Sequence, residues 1–433
     1  MTEILERDDV AELEREVAGP VLLPGDDGYG AETATWNLSE AQRPAVVVGA
    51  TSTTDVRAAV RFAAGHGRPV AVVATGHGAV TGSDDAVMVN LRRMAGVRVD
   101  AEARTATIDA AVEAQHLVEA AAAVGLAPLA GSSPNVGVVG YTLGGGLSPT
   151  LGRTYGYSAD HVRSFEIVTA DGAVRHVDAA HEPDLFWAVR GGKGNFGVVT
   201  SLTVDLVPVT RLYGGGMYFA AEHAEKVVDA YRRLTAVAPD ALSASFAFLR
   251  LPPLDFVPEP LRGRFTVHVR LAYLGPAAEG AQLVADLRST PRLVDTVAEM
   301  PFTDIAAIHA DPTKPLPGYE STTLLRDFPA EAADALLAAA GPAVESRALV
   351  VEVRQLGGAL ARPPRVANAV GHRDAGYQFL AGAIGEPGGL ETLRLPLAGI
   401  VETTTARRRP RPDPASHRRR ARRRTTWPPR ARR

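Results

Sequence analysis

Residues 69–82 read PVAVVATGHGAVTG, an apolar run followed directly by a histidine with a glycine on either side. The apolar run predicts a buried strand, and the glycine-rich loop begins where that strand ends. Glycine has no Cβ, so the backbone around His77 can adopt a positive φ and approach a bulky group closely. Two interpretations are open from these residues alone: an ordinary surface or core histidine, or a histidine that contacts a bulky ligand.

The residues before this loop predict a β-α-β unit. A buried-type strand at 44–50 (PAVVVGA) precedes a helix at 51–67, whose N-cap is Thr53 or Thr54. The apolar residues of this helix recur on one face: Val56, Ala59, Val60 and Ala63. Such a unit has parallel strands and a right-handed connection. Ligands of these sheets gather at the carboxyl ends of the strands, which is where the His77 loop lies.

The residues after the loop depart from a dinucleotide-binding plan. Another strand follows at 86–91, then a hairpin at 96–110, a helix at 113–125 and a second hairpin at 161–179 that turns at an Asp-Gly pair. Helices and hairpins mixed in this way predict an α+β fold. The G-x-G-x-x-G fingerprint does not occur between a strand and a helix, so a Rossmann-type nicotinamide site is not expected.

The second half of the chain predicts an antiparallel sheet covered by helices. Runs with period-two alternation lie at 243–251, 264–275 and 348–360, and helical patterns lie at 221–237 and 329–341. We therefore predict three regions, with a boundary near Pro208. They are residues 1–208, a substrate domain at 209–405, and a tail at 406–433.

The composition excludes several classes of function. The 433 residues include no cysteine, so disulfides, thiolate metal sites and a cysteine nucleophile are excluded. The histidines show no metal-binding spacing near acids, so no metal is expected, and no G-x-S-x-G elbow of a hydrolase occurs. The first residues carry no signal-peptide apolar region, and no run is long enough to cross a membrane. We expect a cytoplasmic protein.

The tail differs in charge from the rest of the chain. Residues 407–433 contain 13 arginines and one acidic residue, which leaves a net charge of −15 on residues 1–406 against −3 overall. An acidic body argues against a nucleic-acid-binding main domain, apart from non-specific binding by the tail. The tail is predicted to be disordered. It is a polyanion-binding arm, a solvated tail or the product of a shifted reading frame, and we favour the last.

Three glycine-rich segments lie in the first half, at 75–82, 131–156 and 191–199, each next to a predicted strand. They predict one long ligand that lies along several backbones, whose N–H groups point at phosphate oxygens. The alternative is three tight structural turns. The segment GGKGN lacks the G-K-[ST] ending of a P-loop, so a nucleoside triphosphate is not expected.

The order of these motifs, with LFWAVRGGKGNFGVVTSLTVDLVP at 185–208, resembles the FAD-linked oxidases of the vanillyl-alcohol oxidase superfamily, and most the berberine-bridge-enzyme-like branch. The resemblance is strong over about 45–208 and fainter over 210–405. It implies a two-subdomain, PCMH-type FAD-binding domain followed by the substrate domain. The pyrophosphate would lie on the first segment, the ribityl chain and ring on the second, and the adenine side on the third.

The resemblance implies FAD contacts from these residues: Thr75, Gly76, His77, Gly78, Ala79, Gly82, Gly131, Ser132, Ser133, Asn135, Gly137, Gly140, Tyr141, Gly144, Gly145, Gly146, Gly192, Gly194, Asn195 and Val199. His77 matches the histidine that bonds covalently to the 8α-methyl group of the flavin. Ser133-Pro134 stands where many relatives have Cys-Pro, so a second covalent link is excluded. The family's C-terminal Tyr-x-Asn motif is not found.

The implied activity is hydride transfer from an alcohol or activated C–H of a small organic molecule, a sugar or a secondary metabolite, to flavin N5. Oxygen or another acceptor would then reoxidise the flavin. Two other functions remain open: a C-terminally truncated, inactive flavoprotein, and a polyanion-binding protein that acts through its tail.

The catalytic base should project from the substrate sheet. Alternation places Glu352 on one face with Val350 and Arg354, and His268 on one face with Thr266 and Arg270, although polar faces are often merely exposed. Glu352 beside Arg354 would be a weak base, so His268 competes with it. Tyr155 is a third catalytic candidate, with core packing as its alternative.

Two neighbours of Tyr155, Arg153 and Tyr157, could also line the pocket. His372 and Arg373 are expected to be structural.

Overall fold

The strand that precedes His77 lies at one edge of a four-stranded sheet. The computed structural model describes residues 5–79, 81–386 and 389–405. This first sheet contains β1 (Val21–Leu22), β2 (Val46–Gly49), β3 (Val70–Val73) and β4 (Val87–Asn90), in the order β1-β2-β4-β3. β2 and β3 both pair with β4 in parallel, so β4 lies between the two strands of the predicted β-α-β unit.

The N-cap of the helix in that unit lies one residue before the first of the two predicted positions. Helix α3 spans Thr53–Gly65, after α1 (Arg7–Glu16) and α2 (Tyr29–Thr33). Its N-cap is Ser52, whose side chain accepts a hydrogen bond from the backbone N–H of Asp55 at 3.3 Å, so the prediction of Thr53 or Thr54 was wrong. The predicted apolar stripe of α3 is buried against the first sheet.

A second, five-stranded sheet follows. It contains β5 (Val97–Asp100), β6 (Thr105–Asp109), β7 (Val162–Val168), β8 (Val174–Asp178) and β9 (Val198–Asp205), in the antiparallel order β5-β6-β9-β7-β8. The helices of this region are α4 (Ala114–Ala122), α5 (Val138–Leu143), α6 (Gly152–Tyr155) and α7 (Pro183–Gly192). Both predicted hairpins are present, and the second turns at Gly172 with a φ of +71°.

The third sheet has eight antiparallel strands. They are β10 (Arg211–Ala220), β11 (Leu242–Arg250), β12 (Phe265–Tyr273), β13 (Val294–Asp295), β14 (Ala298–Pro301), β15 (Gly318–Leu325), β16 (Val350–Gln355) and β17 (Tyr377–Ile384). Their order is β13-β10-β12-β11-β16-β17-β15, and β14 also pairs with β10. The predicted boundary near Pro208 falls between the second and third sheets.

Helices cover one face of the third sheet. The helices of this half are α8 (Ala224–Val237), α9 (Ala277–Leu283), α10 (Ala285–Arg288), α11 (Ala306–His309), α12 (Ala330–Ala340) and α13 (Leu390–Thr405). Residues of α8, α12 and α13 share an apolar core with the sheet, which includes Phe246, Val351 and Val353. The predicted α+β fold is therefore confirmed.

Two further findings concern the chain as a whole. In the part of the chain that the structure describes, no helix is long and apolar enough to cross a bilayer. The arginine-rich tail at 406–433 lies outside the described residues, and so do the predictions made for it.

Candidate functional site

The loop after β3 is held against a neighbouring segment of the same chain. The backbone N–H groups of Trp36 and Asn37 donate to the carbonyls of Thr75 and Gly76, both at 3.2 Å. Gly76 has a φ of +80°, and a Cβ at that position would lie 2.7 Å from the Cα of Thr35. Glycine is required here by both the backbone conformation and the close approach of residues 35–37.

His77 is partly enclosed by this arrangement. Its imidazole stacks on the Trp36 indole, with ring centroids 4.1 Å apart and planes inclined by 15°. Its Nε2 atom is buried and has no hydrogen-bond partner. Burial lowers the pKa of His77, while Asn135 and the charge of Asp311 act in the opposite direction. The imidazole is therefore mostly neutral at pH 7.

The three glycine-rich segments lie side by side. The Thr75 hydroxyl of the first segment accepts from the Gly137 N–H of the second at 3.2 Å. Farther along the second segment, a Cβ at Gly144 would overlap the Lys193 side chain, which belongs to the third segment. The three segments, which are separated in sequence, are thus in contact with one another, as a long ligand that lies along all three requires.

The second segment turns tightly at its three consecutive glycines. Gly145 and Gly146 have φ values of +115° and +69°, which side chains other than glycine adopt rarely. A Cβ at Gly146 would lie 2.5 Å from the Cβ of Ser158. The hydroxyl of Tyr141, beside this turn, is buried without a partner, and burial raises the pKa of Tyr141.

These segments fit a bound FAD. The buried polar atoms of His77 and Tyr141 lack partners, and buried polar groups are normally hydrogen-bonded. A small cavity lined by Gly131, Val136 and Tyr141 lies along the second segment. At Gly78, Gly140 and Gly194 a Cβ would meet nothing within 4 Å, so the backbone there is open to a ligand.

Some predicted FAD contacts are already engaged within the chain. The Ser133 hydroxyl donates to Asn135 Oδ1 at 2.9 Å, and Asn195 Nδ2 donates to the Gly192 carbonyl at 2.7 Å. The side chain of Val199 is buried in the apolar core of the second sheet, so only its backbone could contact a ligand.

The predicted faces of the third sheet are present, but the polar face is not exposed. Val351 and Val353 point into the apolar core, while Glu352 lies on the opposite face and is 5% exposed. His268 and Arg270, at 0% and 6% exposure, belong to the same buried face. The alternative that these positions are merely solvent-exposed was wrong.

Glu352 lies between two arginines. Its carboxylate is 3.1 Å from Arg270 Nη1 and 3.1 Å from Arg354 Nη2. Burial alone would raise the pKa of Glu352, but the positive charges of Arg354 and Arg270 lower it well below its usual range. Glu352 is therefore held ionised, as expected from its pairing with Arg354, and it is a weak base.

His268 is held neutral in one tautomer. Its Nδ1 accepts a hydrogen bond from Arg270 Nε at 3.1 Å, so its proton lies on Nε2, which is buried without a partner. The ring stacks on Tyr218 with centroids 3.8 Å apart. Burial, and next the charge of Arg270, lower the pKa of His268 well below its usual value.

Two further titratable side chains adjoin this face, and neither was identified from the sequence. His309, at the end of α11, is 5% exposed, and neither ring nitrogen has a partner. Burial, followed by the charges of Arg270 and Arg354, lowers the pKa of His309 to about 3.

Glu320 on β15 is the second of these side chains. Burial, followed by Asp311 and Glu352, raises the pKa of Glu320. The sheet register explains its position: Glu320 is opposite Gly382, which is opposite Val350 on the face of Glu352. Only the strand pairing could have revealed this, because Glu320 and Glu352 are distant in sequence.

Tyr155 is not among the residues brought together. Its side chain packs against the apolar core of the second sheet. Arg153 is buried and donates to the Leu242 carbonyl at 2.7 Å. Arg373 pairs with Asp160 at 2.6 Å and lies over the Tyr157 ring at 5.0 Å.

His372, next to Arg373, has a φ of +55°. Within residues 5–79, 81–386 and 389–405, no group of three or more His, Asp or Glu side chains could hold a metal ion.

Comparisons with known proteins agree with this geometry. The FAD binding domain family matches residues 44–178. The curated (R)-6-hydroxynicotine oxidase of Paenarthrobacter nicotinovorans is 31% identical over 299 residues, which are 68% of this chain and 64% of that protein. The chain thus spans less than two thirds of the length of this relative. The chain is 37% identical to the FAD-linked oxidoreductase hasG of Aspergillus fumigatus over 197 residues, which are 44% of this chain and 42% of that protein.

Solved structures share the fold over most of the chain. The structure of 6-hydroxy-D-nicotine oxidase from Arthrobacter nicotinovorans has a TM-score of 0.73 at 25% identity and covers 90% of this chain and 86% of its own. A BBE-like protein of Physcomitrella patens has a TM-score of 0.78 at 20% identity, over 92% of this chain and 88% of its own.

Proposed function

We propose that this chain, which resembles the FAD-linked oxidases of the vanillyl-alcohol oxidase superfamily and most the berberine-bridge-enzyme-like branch, is an FAD-dependent oxidoreductase. Its substrate is a small organic molecule with an alcohol or an activated C–H bond. The observation that carries the proposal is the contact between the three glycine-rich segments, with the buried, unpartnered His77 Nε2 in the first and the buried, unpartnered Tyr141 hydroxyl in the second.

The chain's own residues supply the binding surface for the cofactor. Open backbone at Gly78, Gly140 and Gly194 would face FAD, while Tyr141 would donate its unpartnered hydroxyl. FAD, when bound, accepts a hydride from the substrate and passes the electrons to oxygen or another acceptor. Residues of the polar sheet face would hold the substrate and accept its proton.

His77 is the proposed covalent anchor. A neutral imidazole has a free lone pair and is a competent nucleophile, and burial favours this form of His77. When FAD is bound, an imidazole nitrogen of His77 would supply the nucleophile, and a C–N bond would replace one C–H bond of the 8α-methyl group. Dioxygen would accept the two electrons and two protons that formation of this bond releases, and would leave as hydrogen peroxide.

The polar face of the third sheet suits a substrate with hydrogen-bonding groups. The Arg354 side chain is 18% exposed and is held by Glu352, so it can donate to the substrate. Glu352 and His268 were the proton acceptors predicted from the sequence, but both share their acceptor atoms with arginines. We therefore assign the acceptance of the substrate proton to Glu320.

Glu320 fits this role for two reasons. Part of its side chain is exposed to solvent on the face of Glu352, so a substrate can reach it, although enough of the group is enclosed for burial to raise its pKa. Its raised pKa makes it a stronger base than an ordinary carboxylate at the pH where it is ionised. The same carboxylate geometry serves a hydroxyl or an amine donor, so sugars and secondary metabolites both remain substrates of this proposal. The cytoplasmic location stays a prediction from the sequence.

The test begins with the visible spectrum of the purified chain. The proposal expects a flavin spectrum that bleaches anaerobically with at least one member of a panel of sugars, alcohols and heterocyclic amines. A yellow protein that no donor bleaches would support the inactive, truncated flavoprotein instead. A colourless protein that takes up no added FAD would overturn the proposal.

A further inference from the structure

Trp36 is fixed in place on two sides. Its backbone N–H donates to the Thr75 carbonyl at 3.2 Å, and its carbonyl accepts from the Leu316 N–H at 3.1 Å. Its indole Nε1 donates to the Thr313 carbonyl at 3.4 Å. The indole is thus positioned jointly by the His77 loop and by the segment that precedes β15.

The other neighbours of His77 converge on the same carbonyl. Asn135 Nδ2 donates to the Thr313 carbonyl at 2.8 Å. Asn135 is also hydrogen-bonded to His77, which acts to raise the pKa of His77. Trp36 and Asn135 are therefore linked through Thr313, with the imidazole beside both. A stacked aromatic ring restricts the orientation of its partner and excludes water from that face.

We propose that Trp36 is a positioning residue for covalent flavin attachment, which holds the His77 imidazole neutral and in one orientation toward the 8α-methyl group. This inference rests on the covalent link proposed above. A neutral imidazole is required because the attacking nitrogen needs its lone pair. A fixed orientation is required because small displacements of a nucleophile cost large factors in rate.

The test follows the attachment itself, not turnover. The full chain is expressed with little flavin, purified, mixed with FAD in air, and sampled into acid at intervals. Flavin fluorescence of the washed precipitate gives the covalently bound fraction. Wild type, Trp36→Phe and Trp36→Leu are compared, with His77→Ala as the blank and Trp187→Leu, a half-exposed indole elsewhere, as the matched control.

We expect Trp36→Leu to attach FAD about tenfold more slowly than wild type and Trp36→Phe to stay within about threefold of it. Loss of the indole also exposes the imidazole, so the pKa of His77 should rise toward about 6.5. Attachment in Trp36→Leu should therefore weaken more steeply than in wild type below about pH 6.5. Asp311, the charge that acts on His77 among the described residues, is unchanged in every variant.

Equal time courses for Trp36→Leu and wild type would overturn the role of Trp36, and equal losses in Trp36→Leu and Trp36→Phe would overturn its explanation by ring stacking. Wild-type protein that binds FAD but releases all of it into acid would instead remove the covalent link, and this inference with it. Matching thermal unfolding of Trp36→Leu and Trp187→Leu separates a positioning effect from misfolding.

Discussion

At Glu352, one carboxylate pairs with two guanidinium groups, those of the buried Arg270 and the partly buried Arg354, so its removal leaves their positive charge without compensation. We expect Glu352→Ala to lower the free energy of unfolding by about 3–5 kcal/mol, measured by urea denaturation. The matched control is Glu299→Ala, because Glu299 pairs with Arg211 at 2.8 Å on the exposed edge of the same sheet. That change should cost less than about 1 kcal/mol.

The Glu352 effect has a definite pH dependence. Its pKa is lowered in the folded chain, so its contribution is present above the unfolded value of about 4.3 and is lost as the pH falls through the folded pKa. The difference between wild type and Glu352→Ala should therefore shrink in acid. A difference that stays constant from neutral pH into strong acid would contradict the ion-pair explanation.

Glu320 gives the residue-scale prediction for catalysis. Glu320→Gln should lower kcat by a factor of about 10²–10⁴, because an amide cannot accept the substrate proton. In wild type, activity should rise with pH through a pKa above the usual 4.3 or so, since burial, and next the charges of Asp311 and Glu352, raise the pKa of Glu320.

Asp311→Asn removes one of the negative charges that raise the pKa of Glu320, so the rise of activity with pH should move to lower pH. Glu331→Gln, on the exposed start of α12, should change neither quantity. An unchanged pH profile in Glu320→Gln would rule out Glu320 as the base.

The sequence predicted which residues share the polar face of the third sheet, but it did not predict which other side chains surround them. Period-two alternation placed Glu352 with Arg354 and His268 with Arg270 correctly. It could not show that the four side chains meet, because that depends on β11 lying between β12 and β16. His309 and Glu320 lie in stretches without a distinguishing pattern, and only tertiary pairing brings them to the same face.

At the scale of one element, Asp55 does more than favour the start of α3. Its buried carboxylate accepts from the N–H groups of Ala18 at 3.0 Å and Thr51 at 2.8 Å, as well as from the Thr51 hydroxyl. We expect Asp55→Ala to lower the free energy of unfolding by about 2–3 kcal/mol, since buried donors lose their acceptor. The Ser52→Ala change should cost about 1 kcal/mol.

A matched control for Asp55 is Asp8→Ala, another acidic residue in the first turn of a helix, α1. This change should cost less than about 1 kcal/mol, because Asp8 is exposed. The pKa of Asp55 is lowered by its hydrogen bonds against the effect of burial, so the loss in Asp55→Ala should diminish at acid pH. Equal losses in Asp8→Ala and Asp55→Ala would show that only the helix dipole matters.

The elements themselves were largely readable from periodicity. The strand predicted at 264–275 and the helix predicted at 221–237 correspond to β12 and α8. β10 was not predicted, because Gly214, Gly215 and Gly216 interrupt its alternation. The structure gives one reason for these glycines: a Cβ at Gly216 would overlap the His268 ring.

At the scale of the whole molecule, Asn37 joins residues 1–208, the flavin-binding half, to the third sheet. Its Nδ2 donates to the Gly318 carbonyl at 2.9 Å, and its Oδ1 accepts from the Gly318 N–H at 3.3 Å. We expect Asn37→Ala to lower the free energy of unfolding by about 2 kcal/mol, because the carbonyl and the N–H of Gly318 lose these hydrogen bonds. Limited proteolysis should cut faster within residues 311–317.

Gln42→Ala, which loses contacts within the flavin-binding half alone, is the control for Asn37→Ala. Proteolysis at 311–317 that is equally fast in both variants would contradict a bridging role for Asn37. The hydrogen bonds between Asn37 and Gly318 join residues 281 positions apart, and no pattern in the sequence indicated them. The sequence indicated both halves of the molecule but not the segment that ties them together.

The two faces of the eight-stranded sheet have an evolutionary consequence. Because neighbouring positions on each strand point to opposite sides, the strands carry two interleaved sequences under separate selection. Drift at exposed positions of the polar face, such as Glu320 and Thr322 on β15, can alter which molecules the proposed site accepts, while Phe246, Val351 and Val353 preserve the core. A lineage built on this sheet can diversify its chemistry without first acquiring surplus stability.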